Sequence, residues 1–524
     1  MPTHDIVVAG GGHNSLTTAA YAARAGYDVA VVEANEVVGG NTRTQEHTVP
    51  GLKQDTCSTA HNLIQASPTL KEDELGLLSD YGLTYLHPDP VLTVPFDDGT
   101  SITMWQDREK TAEQFAKFSE ADAEAYLQLL DDYKEVAPHY TRARYQAPKE
   151  GSVQDEIANA PNGDEWVRRS LESPKDIIER RFEHEKSRAF IAYLAALTVQ
   201  PIERVGGGLR AFSLAYGRQK NSWVLPEGGS GELPRALMDC IEDHGGTIYA
   251  GHPVEEIEVT DGRATAVKTA DGTRFEARDA LVSTIHVKHL VKVLPDEAVP
   301  DDFRRGVENW KAGIAFFAAH FAVEEPPAYE TEEGPQQCVA MGTASSVESL
   351  IEGSRAFHRG ELPLDDPFIL SLSPTIADET RRAEGLHSYK LVSELPYELA
   401  RDESWDDIKE DVTEQLLDRV REFAPNLTED KVVDVSIHSP VDYERLNPHC
   451  WHGTCHGGDY TPEQYGDRRP VKGYENYRGP VEGLYMTGAC TWPGGSVSAA
   501  PGRNCAVALL EDLGPGIEAG IRSD

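Results

Sequence analysis

At 524 residues the chain is too long for one simple core, so two or more lobes are expected. Its 88 acidic residues outweigh 49 lysines and arginines, a formal net charge of −39; so acidic a surface repels phosphate backbones and anionic headgroups, which argues against nucleic-acid binding. Seven scattered cysteines without a C-x-x-C pair argue for reduced thiols in a cytoplasmic protein, against both a disulfide framework and a dithiol–flavin reductase.

The first strand begins almost at the first residue, leaving no room for a signal peptide, and no apolar run approaches the roughly 20 residues that span a bilayer. Asp5 to Ala9 is a short apolar run that enters Gly10-Gly-Gly-His-Asn-Ser15. Leu16 to Ala25 reads as an Ala-rich helix stopped by Gly26, and Asp28 to Glu33 as a second strand. Strand, glycine turn, helix, strand and acidic end form the βαβ layout that binds the ADP half of a dinucleotide.

Each residue type there has a physical job. Gly10 permits the tight exit from the strand, and Gly12 has no side chain to hold the backbone away from a pyrophosphate. The following helix aims free N–H groups and its positive dipole end at those phosphates. Glu33 lies 23 residues after Gly10, placed for a carboxylate that accepts ribose hydroxyls. Ser15 replaces the third glycine of the pattern and is small enough for close helix–strand packing. Val37 to Thr44 then adds Gly39-Gly40, which resembles the extension in two-dinucleotide-binding flavoproteins and points to FAD rather than NAD. Arg43 either pairs with the pyrophosphate or is an ordinary surface arginine.

Further along, Thr93 to Trp105 reads as a hairpin turned at Asp97-Asp-Gly99. Residues 107 to 135 and 153 to 200 carry helical periodicity, with Ala189 to Val199 a buried helix; Ala137 to Pro161 is expected to be a flexible loop. Leu225 to Gly231 is a turn before a helix over Glu232 to Asp243, followed by short strands at 247–250, 254–259, 264–270 and 280–284. The nucleotide fold thus resumes after an insertion of roughly 130 residues, making the second lobe discontinuous. Strands are expected at 313–323, 368–373 and 388–395, and an amphipathic helix at Trp405 to Phe423. His320 falls on the same strand face as Phe316, either a pocket wall or a satisfied core histidine. Gly483 to Cys490 is a strand ending in small residues, before a helix to Leu513 and a frayed tail from Glu511.

Taken together, the chain resembles the carotenoid (phytoene) desaturase-like branch of the flavin-dependent amine oxidase superfamily. It is closest in texture to its pyridine-nucleotide-disulfide-oxidoreductase-domain-containing and carotene-ketolase-like members. The resemblance rests on Gly10-Gly-Gly-His-Asn14, Glu33 with Val38-Gly-Gly40, Glu227-Gly-Gly-Ser-Gly231, and Gly488 through Gly494-Gly-Ser-Val-Ser-Ala-Ala-Pro-Gly-Arg-Asn504. Asn447 to Gly458 is similar to the family's loop before the closing segment. Ser15 departs from the pattern, as does Trp492, where many relatives carry a histidine; the latter bears on substrate identity.

The resemblance implies an α/β two-lobed flavoprotein. A Rossmann-like FAD-binding lobe with a doubly wound parallel sheet would comprise residues 1–90, 221–300 and 478–524. A substrate lobe with a mixed sheet and helices would comprise 91–220 and 301–477. It implies cofactor contacts from Gly10, Gly12, His13, Asn14, Ser15, Glu33 and Ala34, then Gly39, Gly40, Asn41, Thr42 and Arg43. Val254, through its backbone beside the adenine, and Thr284 would follow, with Gly488, Ala489, Gly495, Ser496 and Val497 closing the site. Its expected activity is dehydrogenation of an apolar or aromatic small molecule by hydride transfer to flavin N5, with oxygen, a quinone or another carrier as acceptor. A redox-neutral flavin-dependent isomerase and an FAD-stabilised binding protein are the alternatives.

A base, where one is needed, would come from His61, His456 or His320. The cluster His449, Cys450, His452, Cys455 and His456 matches no standard zinc spacing, so no metal is expected. Covalent flavin attachment through Cys490 is not expected, and a Ser-His-Asp site has no G-x-S-x-G elbow behind it.

Overall fold

The computed structural model describes residues 2–148 and 152–522. Chain ends and middle meet in one seven-stranded sheet, in the order Val254–Thr260, Arg263–Thr269, Arg274–Ser283, Thr3–Ala9, Val29–Val32, Thr247–Tyr249, with Leu484–Met486 also pairing Arg274–Ser283. Thr3–Ala9 runs parallel to both neighbours, Val7 standing opposite Leu281 on one side and Ala30 on the other. Val29 to Val32 are all buried, as the continuous apolar run of a covered parallel strand requires.

The helices His13–Arg24 and Ala500–Leu513 pack on each other over this sheet. Gly502 makes that approach possible, since a Cβ there would collide with the carbonyl of Asn14, and the Thr18 hydroxyl donates to the Gly502 carbonyl at 2.9 Å. The helix Ala500–Leu513 is thereby locked to the helix His13–Arg24.

A second seven-stranded sheet has the order Val432–His438, Phe316–Val323, His387–Glu394, Ile369–Leu372, Ala340–Thr343, Leu92–Pro95, Ser101–Met104. Its strands are antiparallel except where Ala340–Thr343 runs parallel to Leu92–Pro95. The period of two in a strand divides its side chains. Phe317, Phe321, Tyr389, Leu391 and Ile369 pack against Trp405, Leu416, Leu417 and Val420 of the helix Trp405–Phe423. The opposite face is left to line a cavity. A helical layer including Glu120–Arg144, Glu185–Ala196 and Arg210–Asn221 buries Tyr133, Trp166, Phe190 and Phe212 beside it.

Two expectations are corrected. The loop expected over Ala137 to Pro161 is instead largely helical: Glu120–Arg144 continues through Pro138, and Ser152–Ala158 is a further helix, while 149–151 lie outside the described residues. Tertiary contacts outweigh the proline there. Val136 and Ala143 are buried, and the Trp492 indole N–H donates to the Ala143 carbonyl at 3.0 Å. The tail, expected to fray from Glu511, stays helical to Leu513 and returns as Ile517–Gly520, with Gly520 tight against the Tyr21 backbone and the Arg522 N–H on the Glu74 carbonyl at 2.7 Å, while 523–524 lie outside the described residues.

Candidate active site

One cavity of about 470 Å³ runs along the carboxyl ends of the first sheet and under the bare face of the second. At its nucleotide end, Gly10 has φ +102° and leaves no room for a Cβ against Thr284. Gly12 faces open space, precedes the helix His13–Arg24, and no side chain caps that helix. Its first-turn N–H groups are therefore open to an anion. Glu33 is buried at the end of its strand, Oε2 accepting from the Gly11 N–H at 2.6 Å and Oε1 from the Asn35 N–H and side-chain amide, both at 2.9 Å. Three of about four acceptor positions are used, which fixes the carboxylate and leaves one to a ligand hydroxyl.

At the other end, Gly488 has φ +95° and is pressed on Thr284, while Gly495 is pressed on His456. Ser496 (φ +83°) and Ala499 (φ +58°) hold left-handed backbone that only firm surroundings sustain. Around the cavity, His13 Nε2, Asn14 Oδ1, His449 Nε2 and His456 Nδ1 are buried without hydrogen-bond partners. Such atoms are costly unless a ligand meets them. Open helix N-terminus, fixed carboxylate, glycine cradle and unpaired polar atoms suit a long dinucleotide.

The bare face of the second sheet supplies the remaining wall. Lys390, Val392 and Glu394 alternate along one strand, Phe368, Leu370 and Leu372 along the next, and Phe316 stands opposite Glu394. Lys390 is used structurally, its ammonium donating to the carbonyls of Asp55, Thr56 and Cys57 at 3.0, 3.3 and 2.6 Å. Burial raises the Glu394 carboxyl to about 8 and its Oε1 has no partner, so it is mostly neutral at pH 7. Burial likewise lowers His13, His449 and His456 to about 4, which leaves neutral rings that act as hydrogen-bonding groups and are weak bases.

Of the expected cofactor residues, Gly10, Gly12, His13, Asn14, Glu33, Ala34, Gly40, Asn41, Thr42, Val254, Thr284, Gly488, Ala489, Gly495, Ser496 and Val497 line the cavity. Ser15, Gly39 and Arg43 stand behind it. The Ser15 hydroxyl donates to the Gly12 carbonyl at 2.9 Å, Gly39 bridges Gly12, and Arg43 is buried with Nε on the Gly40 carbonyl at 2.9 Å. Arg43 thus holds the loop and is not at the surface.

Among the expected bases only His456 lines the cavity. His61 is consumed by Ser230 Oγ at 2.7 Å and the Tyr85 hydroxyl at 3.2 Å. His320 does share a face with Phe316, but His47 and His438 cover it at ring distances of 4.6 and 5.1 Å, and neither of its nitrogens is paired. It is neither a wall of this cavity nor a satisfied core histidine. Trp492 is fully buried among the helices and does not line the cavity.

Sequence reading missed Glu394, Arg218, Trp223 and Tyr443, all of which line the cavity. Period-two alternation marks Glu394 as sharing a face with Lys390 and Val392, but not which face meets the nucleotide lobe. In the loop singled out for its histidines and cysteines, the histidines diverge, while the Cys450 and Cys455 sulfurs stay 3.9 Å apart and Cys455 lies 3.1 Å from the Cys57 sulfur. His449 reaches the Thr284 carbonyl at 2.8 Å, Cys450 lies 3.3 Å from the Asn41 side chain, and His452 stacks on Tyr397 at 4.7 Å.

A dinucleotide cradle built by both chain ends, opening under an apolar sheet face, is the architecture of a two-lobed flavoprotein. The profile of the flavin containing amine oxidoreductases matches residues 16–509, and the chain belongs to that family, with FAD as its cofactor. It is 28% identical to one polypeptide of the limonene dehydrogenase of Castellaniella defragrans, over 97% of this chain and 95% of that protein. It is 26% identical to pyridine nucleotide-disulfide oxidoreductase domain-containing protein 2 of Mus musculus, over 98% and 94%. A structure of putrescine oxidase bound to putrescine shares the fold with TM-score 0.62 at 15% identity, over 98% of this chain and 99% of that one.

Proposed function

We propose that the protein dehydrogenates an apolar or aromatic small molecule, with residues 1–90, 221–300 and 478–524 holding FAD and 91–220 and 301–477 holding substrate. The observation that carries this reading is the continuity of the cofactor cradle with a wall of Phe316, Phe368, Leu370, Leu372 and Val392. When bound, FAD supplies at N5 the acceptor for a hydride leaving a substrate carbon. The chain's part is to orient that carbon and exclude water, and the apolar wall suits both tasks. His456, a neutral ring and a weak base, is suited to orienting substrate. Glu394, mostly protonated at pH 7, is the side chain best placed to take up or release a proton. The limonene named for the first relative is an apolar molecule of the class proposed.

Anaerobic mixing of the holoprotein with candidate substrates tests this: bleaching of the visible flavin bands is expected. Turnover only after pre-reduction would instead establish a redox-neutral isomerase, and no response to any ligand would leave FAD a structural role.

The Glu394 carboxyl gives a second check. An ordinary glutamate near 4.5 that rises to about 8 in the folded protein holds a proton that the unfolded chain has lost, so stability falls as pH rises across that window. Relative to Glu394→Gln, the wild type should lose about 1.4 kcal/mol per pH unit there, and roughly 3–5 kcal/mol in all. Urea unfolding of both proteins at pH 5, 7 and 9 reads the difference; parallel curves would show that Glu394 ionises normally.

A further inference from the structure

In a chain of net charge −39, the cavity next to the active site is basic. A second cavity of about 800 Å³ opens through the helical layer and shares Ala60, Leu197, Arg218, His456, Gly495 and Ser496 with the first. Its lining carries Lys71, Arg144, Arg210, Arg218, Lys220 and Arg468, against the single carboxylate Asp467 among the described residues. Part of that charge is already matched. Arg468 lies 3.4 Å from Asp467, Lys71 is 2.6 Å from Glu72, and Arg210 donates to the carbonyls of Gln200 and Pro201 at 3.0 Å.

Arg218 is not matched. It stands on the cavity face of the helix Arg210–Asn221, where the shared lining joins the two spaces. It is 7% exposed, its guanidinium lies 3.6 Å over the Trp223 ring, and Nε and Nη1 are buried without a hydrogen-bond partner. Burial lowers it only to about 9, so it remains a cation at neutral pH. Glu394 does not neutralise it, being mostly protonated there itself. A buried, unpaired guanidinium is costly, and a planar anion that accepts two of its N–H groups removes that cost. The ring below keeps the guanidinium plane fixed and its edge free.

We infer that Arg218 is a substrate-recognition residue for a carboxylate, and that the substrate is an organic acid whose apolar body lies against the Phe316–Phe368–Leu372 wall. This rests on the redox reading above for the identity of the site, and on the charge of the cavities for the identity of the ligand. The outer cations draw an anion inward through a protein whose surface otherwise repels it. Arg144, beside Tyr140 and without an ion-pair partner among the described residues, stands on that route.

The test is binding of 4-phenylbutyrate and of its neutral isostere 4-phenylbutyramide to the FAD-loaded protein at pH 7 and low salt, read by calorimetry. The acid should bind at least about tenfold tighter than the amide, as a charged hydrogen-bonded pair predicts. Arg218→Met, with FAD content verified as equal, should abolish the preference, and Arg218→Lys should keep part of it. Equal affinity of acid and amide in the wild type would overturn the inference, as would an undiminished preference in Arg218→Met. Should Arg218→Met not fold, the wild-type ratio and Arg218→Lys still decide. The readout is binding without turnover, so its failure is distinct from failure of the flavin to bleach.

Discussion

Glu33→Ala should purify with little bound FAD and bind added FAD about 10²-fold more weakly than the wild type. Two losses combine. On the assignment proposed for Glu33, the carboxylate no longer accepts a ribose hydroxyl, a charged hydrogen bond worth about 1.5–3 kcal/mol. The Gly11 N–H and the Asn35 N–H, held at 2.6 and 2.9 Å, also lose their acceptor, so the glycine turn loosens. Glu33→Gln separates these, since it keeps an acceptor while removing the charge. Absorbance at the flavin bands per mole of protein measures the effect; full occupancy in Glu33→Ala would remove the ribose assignment.

The second large effect concerns the joint between the lobes. Asp55 is 2% exposed and accepts from the Thr44 hydroxyl at 2.7 Å and the Ser230 N–H at 2.8 Å, with Arg381 2.9 Å away and fully buried. Two distant stretches of chain, at Ser230 and Arg381, therefore meet the local Thr44–Asp55 pair on one carboxylate. Asp55→Ala leaves Arg381 as an uncompensated buried charge and should cost about 3–5 kcal/mol. Asp55→Ala combined with Arg381→Met should recover much of that loss, because an apolar pair of similar volume has no desolvation penalty to offset. Urea unfolding of the single and double variants measures the coupling; strictly additive losses would mean the pair does not act as a unit.

Much of the nucleotide lobe was legible in the sequence, for a physical reason. Gly10, Gly12 and Glu33 act through backbone conformation and one charge at fixed spacing, and both are local properties. The helices Glu232–Asp243 and Trp405–Phe423 begin and end where the sequence reading puts them. The substrate side was harder, because its residues converge from separate strands and helices. His61 and His320 carry the right chemistry, yet Ser230 and His47, distant in sequence, decide that neither faces the cavity. Glu394 and Arg218 look like ordinary surface charges in a polar sequence, and only burial without a partner sets them apart. Pro138 misleads in the other direction, since the proline signal is local and the packing that overrides it is not.

The central claim is that both chain ends form one cradle holding a flavin under an apolar wall. The visible spectrum and FAD content of the gently purified protein test it most directly. A yellow protein with close to one FAD per chain is the expected result; colourless protein that takes up none when FAD is supplied would contradict the account.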